Sequence, residues 1–427
     1  MSTHGASREC FSLGAALVAK GAQPDLLHLP SSDAMLPTPD DQCPRPLRLP
    51  PLPTRPHALP IFPSSVWECD SPRQADALLS GQQEGYVYQR DGHPNAALLA
   101  EKLQLLHRAE RGIVTSSGMA ALATVLLAVL RTGDHVLLGE GLYGKTHVLF
   151  AQEAARLGIS CSTVDATDPR QVAAAIQPQT RLIVVETIAN PLLSVVDVAA
   201  LAEVAARHRV LLLVDNTFAS PLLCQPLTLG ADLVIESLTK VLNGHSDVVL
   251  GFVGGRAEAL ERMPLVVSTW GLASGPFDCW LAWRGLATAH LRVQRACENA
   301  HVAAELLASQ PKVAAVHYPG LPQHPQHRLA TQQFGGRYGT IVTFELAGGR
   351  PAADAFIAAA ARYIPFCPSL GELSTTLSHP ETTSHRGLTS AQRQALGITG
   401  GTIRLSLGTE SPEFVREALI EGLRGVR

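Results

Sequence analysis

The stretch Ala231-Asp-Leu-Val-Ile-Glu-Ser-Leu-Thr-Lys-Val-Leu-Asn-Gly-His-Ser-Asp-Val-Val-Leu-Gly251 contains the lysine from which the fold and the chemistry of this chain are best interpreted. An apolar run at 233–235 predicts a strand, a polar segment with Lys240 follows, and a tight turn at 243–246 precedes a second predicted strand at 248–250. An amine held just past a strand is partly desolvated, which lowers its pKa and makes it a candidate Schiff-base nucleophile. The alternative is a surface lysine in a polar loop.

Upstream of Lys240, short apolar runs alternate with helix-type segments. Strands are predicted at 113–114, 135–138, 159–164, 182–185 and 210–214, and helices up to 130 and at 144–157, 168–176 and 198–207. This alternation predicts an α/β domain with a mostly parallel sheet, in which ligands bind beyond the carboxyl ends of the strands. The candidate site residues at those ends are Ser117, Tyr143, Glu186, Asn190, Asp215, Ser237, Thr239 and Lys240.

The character of the chain changes at both ends of this region. Residues 36–60 are rich in proline, so we interpret residues 1–65 as an extended arm or linker; disorder without a role is an equal alternative for 1–35. Residues 66–265 form the predicted large domain. After about residue 265, predicted strands at 313–316, 340–346 and 402–407 and a final helix at 412–423 indicate a smaller α+β domain over 266–427.

The composition excludes several classes of protein. The 427 residues are 46% hydrophobic and 17% charged, with a formal net charge of -3 and no basic stripe, which argues against a nucleic-acid partner. No apolar run approaches the roughly 20 residues of a membrane-spanning helix, and we expect no secretory signal. The eight cysteines form no CxxC pair, which indicates reduced thiols in a cytoplasmic protein.

Asp215 ends the most apolar predicted strand, Val210-Leu-Leu-Leu-Val214. A carboxylate there is a salt-bridge partner, a metal ligand or a counterion to a cationic ring; because no histidine follows at ligand spacing, we predict no metal. Beside a pyridine nitrogen it would keep that nitrogen protonated, as the electron sink of pyridoxal phosphate (PLP) requires. Asp215 and Lys240, on separate strand ends, could lie on opposite sides of one flat cofactor.

Three other residue patterns carry a functional and a structural interpretation each. Ser117-Gly118-Met119 opens a helix, and so is either an anion cup or an ordinary serine cap. Tyr143 either stacks on a bound ring or covers the sheet. Arg404 interrupts an apolar strand and either binds a substrate carboxylate in bidentate fashion or forms a structural ion pair.

A competing hypothesis comes from Gly139-Glu-Gly-Leu-Tyr-Gly144, which matches the GxGxxG pattern of dinucleotide-binding proteins. The motif follows a predicted strand, and Asp165 closes the next one, where a ribose ligand would lie. Spacing alone therefore permits an NAD-dependent enzyme. No other part of the chain resembles a hydride-transfer site, whereas Lys240 and Asp215 both have roles in a PLP enzyme. The presence of both Lys240 and Asp215 also argues against a third alternative, a non-catalytic protein that binds no PLP.

From about Pro60 to the C-terminus the chain resembles the PLP-dependent transsulfuration enzymes of cysteine and methionine metabolism. This family includes cystathionine γ-lyase, β-lyase and γ-synthase, methionine γ-lyase and the O-acylhomoserine sulfhydrylases. The most specific motif is Glu236-Ser-Leu-Thr-Lys-Val-Leu-Asn-Gly-His-Ser246. The others, in order, are Tyr88-Gln-Arg90, Ser117-Gly-Met119, Leu142-Tyr-Gly144, Glu186-Thr-Ile-Ala-Asn-Pro-Leu192, Asp215-Asn-Thr-Phe218, Ser369-Leu-Gly371, His379-Pro380 and Ile403-Arg-Leu-Ser406.

The resemblance implies an aspartate-aminotransferase-like fold, a PLP cofactor and β- or γ-elimination, with γ-replacement as the alternative. It implies that Lys240 carries PLP as an internal aldimine and moves protons, and that Asp215 pairs with the pyridine nitrogen. It also implies that Tyr143 stacks on the ring and takes part in proton transfer, so that Lys240, Tyr143 and Asp215 are the expected catalytic residues. The implied phosphate ligands are Ser117, Gly118, Met119, Ser237, Thr239 and, from a neighbouring subunit, Tyr88 and Arg90. Asn190 is expected beside the ring oxygen, and Asn190, Arg404 and Thr375 are expected at the substrate. The assembly is expected to be a homotetramer.

Two positions depart from the family pattern. After Arg90 the family often reads Gly-Asn-Pro-Thr, and this chain reads Gly92-His-Pro-Asn95. Where many relatives have Glu-Ser after Ser-Leu-Gly, this chain has Ser374-Thr375. Because that acid is tied to the distal amino group of cystathionine, its absence puts cystathionine in doubt as the substrate and leaves the PLP chemistry unchanged.

Overall fold

The computed structural model describes Thr54 and residues 56–427, so the predictions for residues 1–53 lie outside the described part of the chain. The strands are β1 Arg111–Thr115, β2 His135–Gly139, β3 Ser160–Val164, β4 Thr180–Glu186, β5 Leu211–Asp215, β6 Leu233–Ser237, β7 Gly251–Gly255, β8 Val313–His317, β9 Ile341–Leu346, β10 Thr376–Ser378 and β11 Thr402–Ser406. The helices are α1 Pro72–Leu79, α2 Pro94–His107, α3 Gly118–Val129, α4 Gly144–Val148, α5 Pro169–Ala175, α6 Val198–His208, α7 Met263–Trp270, α8 Pro276–Leu286, α9 Ala289–Ala308, α10 His327–Phe334, α11 Gly349–Ala360, α12 Ser390–Ala395 and α13 Pro412–Gly425. None of these helices is long and apolar enough to cross a bilayer.

The larger sheet has seven strands in the order β1-β7-β6-β5-β4-β2-β3. The pairings β3–β2, β2–β4, β4–β5 and β5–β6 are parallel, and only β7 runs against its neighbours. This confirms the predicted α/β fold with a mostly parallel sheet. Apolar clusters cover both faces, one centred on α3 and the other on α6, and the carboxyl ends of the parallel strands are left for a site.

The smaller sheet is antiparallel, with the strand order β10-β11-β9-β8. Helices α9, α11 and α13 contribute to one apolar core with it, which includes Phe344 and Phe356. Strand β11 lies between two neighbours, so Arg404 at its centre is 4% exposed. The sheet therefore holds a nearly buried guanidinium, as a substrate-binding arginine would require.

Two predicted elements have different bounds in the structure. The strand predicted at 248–250 begins only at Gly251, because the amide and carbonyl of Leu250 bond to the Thr239 hydroxyl instead of a neighbouring strand. The helix predicted over 144–157 is α-helical for its first five residues, then becomes a π-turn at Leu149–Glu153 and a 3₁₀ turn at Ala154–Leu157. The prediction of one continuous α-helix was wrong.

The described end of the proline-rich segment is attached to the large sheet's helices. The Leu59 carbonyl accepts a hydrogen bond from Trp280 Nε1 at 2.8 Å. Asn95 Nδ2 donates to the Pro60 carbonyl at 2.8 Å, and Asn95 Oδ1 accepts from the Phe62 amide at 2.9 Å. Asn95, one of the departures from the family pattern, therefore fixes the incoming chain on α2.

The cysteines in the described part of the chain are free thiols: Cys69, Cys161, Cys224, Cys279, Cys297 and Cys367. Burial raises the pKa of Cys224 and of Cys279 to about 12. Both thiols thus stay protonated and pack as small apolar groups.

Candidate active site

Asp215 and Glu186 lie side by side where two parallel strands end. They are register partners on β5 and β4, so their side chains leave the same face of the sheet. Asp215 Oδ1 accepts from the Thr217 amide at 3.0 Å. Burial raises the pKa of Asp215 to about 6, against the opposing effect of its hydrogen bonds from Thr217. An acid in this state can pair with a cationic ring nitrogen.

An anion cup is formed by the start of α3 and the end of β6. Ser117 Oγ caps the helix by accepting from the Ala120 amide at 3.0 Å, which leaves the amides of Gly118 and Met119 without acceptors inside the helix. A Cβ placed on Gly118 would lie 2.9 Å from the Cβ of Ser237. Only glycine lets this helix N-terminus reach the Ser237 hydroxyl, and such a cup suits a phosphate.

Thr217 joins this cup to Asp215. Its amide bonds to Asp215, and its Oγ1 accepts from the Ser237 amide at 2.9 Å. Thr239, predicted as a further phosphate ligand, has its hydroxyl engaged with the amide and carbonyl of Leu250, at 3.1 and 3.3 Å. The cup therefore depends on Ser237 and the helix amides, while the Thr239 hydroxyl closes the turn before β7.

Lys240 and Arg404 converge on Ser369. Lys240 Nζ donates to Ser369 Oγ at 2.9 Å, and one terminal nitrogen of Arg404 donates to the Ser369 carbonyl at 2.9 Å. The other terminal nitrogen donates to Asn190 Oδ1 at 2.9 Å. Hydrogen bonds thus link the lysine amine through Ser369 and Arg404 to Asn190, in the turn that follows β4.

The charges of this cluster depend on its burial. Burial lowers the pKa of Lys240; Glu372 raises it and Arg404 lowers it further. Burial also lowers the pKa of Arg404 to about 10. Arg404 Nε is buried and has no hydrogen-bond partner, so this donor is free for an anionic group.

The turn after Ser369 packs directly on the main chain of Lys240. Gly371 adopts a φ of 84°, and a Cβ at this position would lie 2.5 Å from the Val241 nitrogen. Its amide donates to Ser406 Oγ at 2.8 Å, which ties the turn to β11. The position of Lys240 therefore depends on a glycine 131 positions later in the chain.

Tyr143 lies between the end of β2 and the start of α4 and is 41% exposed. Its amide donates to Glu186 Oε1 at 2.6 Å. Glu186 is 7% exposed, and its Oε2 is buried without a hydrogen-bond partner. Burial, followed by the charge of Asp215, raises the pKa of Glu186 well above its usual range.

Three of the predicted site residues are arranged differently from this cluster. Tyr88 and Arg90 are exposed in the loop before α2, with the Arg90 guanidinium 5.1 Å from the centre of the Tyr88 ring. Thr375 is 1% exposed; its hydroxyl donates to Glu410 Oε2 at 2.9 Å and accepts from the Gly408 amide at 3.0 Å. These bonds do not support the predicted contact of the Thr375 side chain with substrate.

Sequence reasoning did not assign a role to Thr217 or Ser369 and left Glu186 among the strand-end candidates. All three lie inside motifs that were recognised, so a signal was present. The missing information was tertiary: the Lys240–Ser369 contact joins positions 129 residues apart. A polar residue in a motif can be found in the sequence, but its partner across two sheets cannot.

The glycines of the GxGxxG pattern are explained by packing. A Cβ on Gly141 would lie 2.5 Å from the Cβ of Ala189. Asp165, the proposed ribose ligand, accepts at Oδ1 from the amide and hydroxyl of Thr167, at 2.9 and 2.7 Å. The helix that follows the motif is only five residues long. These features do not support the NAD hypothesis.

The other residues of the site provide one suitable group for each reactive part of PLP and of an amino-acid substrate. The anion cup suits its phosphate, Asp215 its ring nitrogen, Lys240 its aldehyde and the free Nε of Arg404 the carboxylate of an amino acid. The fold and the site together define a PLP-dependent α/β enzyme.

Comparison with known proteins identifies the family. The model of the Cys/Met metabolism PLP-dependent enzymes matches residues 50–424. The chain is 37% identical to L-methionine gamma-lyase of Porphyromonas gingivalis over 85% of this chain and 91% of that one. It is 41% identical to cystathionine gamma-synthase of Mycobacterium bovis, over 78% and 84% of the two chains. Among solved structures, the chain is similar to cystathionine gamma synthase from Xanthomonas oryzae pv. oryzae in complex with cystathionine. The two superpose with a TM-score of 0.82 and 39% sequence identity, over 86% of this chain and 93% of the Xanthomonas chain.

The chain therefore belongs to the Cys/Met metabolism PLP-dependent enzyme family. Its cofactor is pyridoxal 5'-phosphate, and it is a lyase or γ-replacement enzyme of sulfur amino-acid metabolism acting on small amino-acid substrates. The resemblance in the sequence and the predicted cofactor are confirmed.

Proposed function

We propose that this enzyme is a carbon–sulfur lyase, which removes a β- or γ-substituent from a sulfur-containing amino acid. The observation that carries the proposal is the convergence of Lys240 and Arg404 on Ser369. This contact brings the Lys240 amine, a base, close to the Arg404 guanidinium, a carboxylate-binding group. An enzyme that removes the proton from the α-carbon of an amino acid requires both groups at the same substrate. The β and γ positions are both left open.

The proposed cofactor ligands are the residues gathered at the strand ends. The amides of Gly118 and Met119 and the Ser237 hydroxyl hold the phosphate, while Ser117 and Thr239 shape the cup through their own hydrogen bonds. Asp215 faces the ring nitrogen, Tyr143 covers the ring and Asn190 lies by the ring oxygen. The bound cofactor supplies an electron sink for the charge that develops at the α-carbon. The contribution of Asp215 is to hold its negative charge at the ring nitrogen, where it is most effective in a site that excludes water.

Arg404 is proposed to bind the substrate α-carboxylate. Asn190 and the Ser369 carbonyl hold its two terminal nitrogens at 2.9 Å each, which orients the guanidinium plane. The buried Nε has no protein partner and is available to the carboxylate. Orientation by fixed hydrogen bonds lowers the entropic cost of placing the α-carbon near Lys240.

Lys240 Nζ is proposed to take the proton from the α-carbon and to return a proton to the leaving group. Burial lowers its pKa, which increases the fraction of neutral amine near neutral pH. Ser369 Oγ accepts from the amine at 2.9 Å and so restricts its position.

γ-Replacement is the second candidate. Relatives named O-succinylhomoserine sulfhydrylase from Pseudomonas aeruginosa (38% identical) and cystathionine gamma-synthase favour it. Ser374 is exposed and uncharged where many family members carry an acid, so we expect substrates without a distal ammonium to be preferred over cystathionine.

We further propose a cytoplasmic homotetramer with sites shared between subunits. The exposed Tyr88 and Arg90 are free to reach the phosphate of a partner subunit. The six free thiols of the described chain are compatible with a reducing compartment.

One assay separates the two candidates. Purified enzyme is incubated with methionine, cysteine, cystathionine and O-acylhomoserines, with and without a thiol acceptor, and ketobutyrate, pyruvate and thioether products are measured. A lyase releases keto acid from methionine, cysteine or cystathionine without acceptor. Thioether formation from O-acylhomoserines that exceeds keto-acid release would instead establish replacement.

A further inference from the structure

Glu186 and Asp215 form a carboxyl pair beside the main chain of Tyr143. They are register partners on adjacent parallel strands and leave the same face of the sheet. The Thr187 amide donates to the Asp215 carbonyl at 3.0 Å, so the two strand ends are locked together. Their mutual proximity is thus fixed by the main chain.

Both carboxyls cannot be ionised here at low cost. Glu186 is 7% exposed, and no donor points at its Oε2. An ionised Oε2 would be a buried negative acceptor without a partner, beside a second carboxylate. A proton on Oε2 removes that cost, and the pair then keeps one negative charge, on Asp215.

Glu186 also determines where Tyr143 stands. The Tyr143 amide donates to Glu186 Oε1 at 2.6 Å, and Tyr143 has no side-chain cap at the start of α4. The main-chain N–H groups of Tyr143 and of Asn190 oppose the rise in the pKa of Glu186 that burial and Asp215 cause, and of the two it is Tyr143 that forms a hydrogen bond with the carboxyl. Glu186 therefore lies against the two segments that carry Tyr143 and Asn190, both of which are proposed cofactor ligands.

We infer that Glu186 is a positioning residue that stays protonated in the working enzyme: it fixes the main chain of Tyr143 and leaves Asp215 as the single negative charge of the pair. This inference rests on the proposed function, because Asp215 and Tyr143 act on the cofactor. Beyond the pair, the charge of Asp215 also raises the pKa of Glu236 on β6, together with burial. The other titratable groups of the site are Tyr143, His147, His385, Lys240 and Arg404.

The test compares Glu186→Gln with Glu186→Ala in the cofactor-loaded enzyme. Glutamine keeps an acceptor for Tyr143 and is neutral, as the protonated acid is; alanine removes the acceptor. Glu236→Gln is the control for removing a buried carboxyl near Asp215 without touching Tyr143: Glu236 lies on β6, 3.5 Å from His107 Nε2, its oxygens make no hydrogen bond, and burial and Asp215 raise its pKa. The measurements are kcat, KM, the pH profile of kcat/KM and the visible circular dichroism of the bound cofactor.

We expect E186A to lower kcat by roughly 10–100-fold, as displaced site residues do, with a smaller change in KM and an altered dichroism band. E186Q should retain kcat within about threefold, and its acid limb should stay in place because Asp215 still titrates beside a neutral group. E236Q should keep the dichroism band of the wild type.

Two results would overturn the inference. If E186A matches the wild type in kcat and dichroism, Glu186 does not position Tyr143. If the acid limb of E186Q moves to lower pH, Glu186 was ionised, because removing a neighbouring negative charge lowers the pKa of Asp215. A wild-type protein that binds no cofactor would contradict the proposed function instead, so the two failures are distinguishable.

Discussion

At the scale of single residues, the account depends on Lys240. Replacing it by alanine removes the only amine that bonds to Ser369 Oγ in the structure and leaves the anion cup intact. We expect Lys240→Ala to abolish turnover while still binding the cofactor noncovalently through its phosphate. Steady-state assays and the fluorescence of added PLP measure both effects; substantial residual turnover would contradict the proposed role.

Asp215 gives a second prediction for the loaded enzyme. Asparagine keeps the shape of the side chain but cannot hold a negative charge at the ring nitrogen. We expect Asp215→Asn to bind PLP and to lose activity by roughly 100-fold or more, the magnitude seen when one electrostatic contact is removed. Cofactor content and kcat are measured together, and a near-normal kcat would refute this role.

Asp215 also has a consequence for the protein before it binds its cofactor. Because the fold raises the pKa of Asp215 from 3.8 to about 6, ionisation is harder in the folded state than in the unfolded one. The resulting loss of stability is absent below about pH 4, grows with pH and is complete above about pH 6, where it reaches at most about 3 kcal/mol.

Cofactor-free Asp215→Asn should therefore be more stable than cofactor-free wild type above about pH 6, and the difference should vanish near pH 4. Urea unfolding of both apo proteins across this window measures it. An apo variant that is less stable than wild type at neutral pH would show that the carboxylate is stabilised by the fold.

The residue scale also shows what a sequence can and cannot predict. Asp215 and Lys240 were found because each follows an apolar run whose end is predictable from the pattern. The Arg404–Asn190 bond joins β11 to the turn after β4, between positions 214 residues apart, so no local pattern encodes it. The same limit applies to Thr375. Its hydroxyl bonds to Glu410, which is distant in sequence, so the local motif could not show that this side chain is already occupied and the predicted substrate contact is not supported.

At the scale of elements, the turn after Ser369 offers a steric test. Gly371→Ala places a Cβ 2.5 Å from the Val241 nitrogen and 2.9 Å from the Lys240 carbonyl carbon. The turn must then move away from Lys240, and we expect kcat to fall by roughly 10-fold or more.

Gly336→Ala is the matched control for this substitution. Gly336 has a φ of 83°, almost the same as the 84° of Gly371, but a Cβ there meets no atom within 4 Å. Both variants carry the same backbone strain, so a difference in kcat reports the contact with Lys240. Equal kcat values would show that the turn does not position the lysine.

The elements that the sequence predicted well are the alternating strands and helices of the large sheet. Their apolar runs are separated by clear turns, and the structure reproduces them within a few residues. Strand β10, with three residues, was missed because it is too short to show a pattern. The π-turn after α4 was missed because its apolar spacing does not differ from that of an α-helix.

At the scale of the whole molecule, shared active sites can be tested by mixing inactive subunits. We expect Arg90→Ala and Lys240→Ala to be severely impaired alone. A hybrid oligomer contains a site with an intact Lys240 and the partner subunit's Arg90, so mixed and reassembled subunits should regain activity. If Arg90 served its own subunit, no combination would recover activity.

The most direct test of the central claim is the covalent attachment of PLP to Lys240. The purified protein is examined by visible absorption, treated with borohydride, digested and analysed by peptide mass spectrometry. The account predicts a visible band that borohydride abolishes and a pyridoxyl adduct on the peptide that contains Lys240. A protein that stays colourless with added PLP, or an adduct on another lysine with Lys240 unmodified, would contradict it.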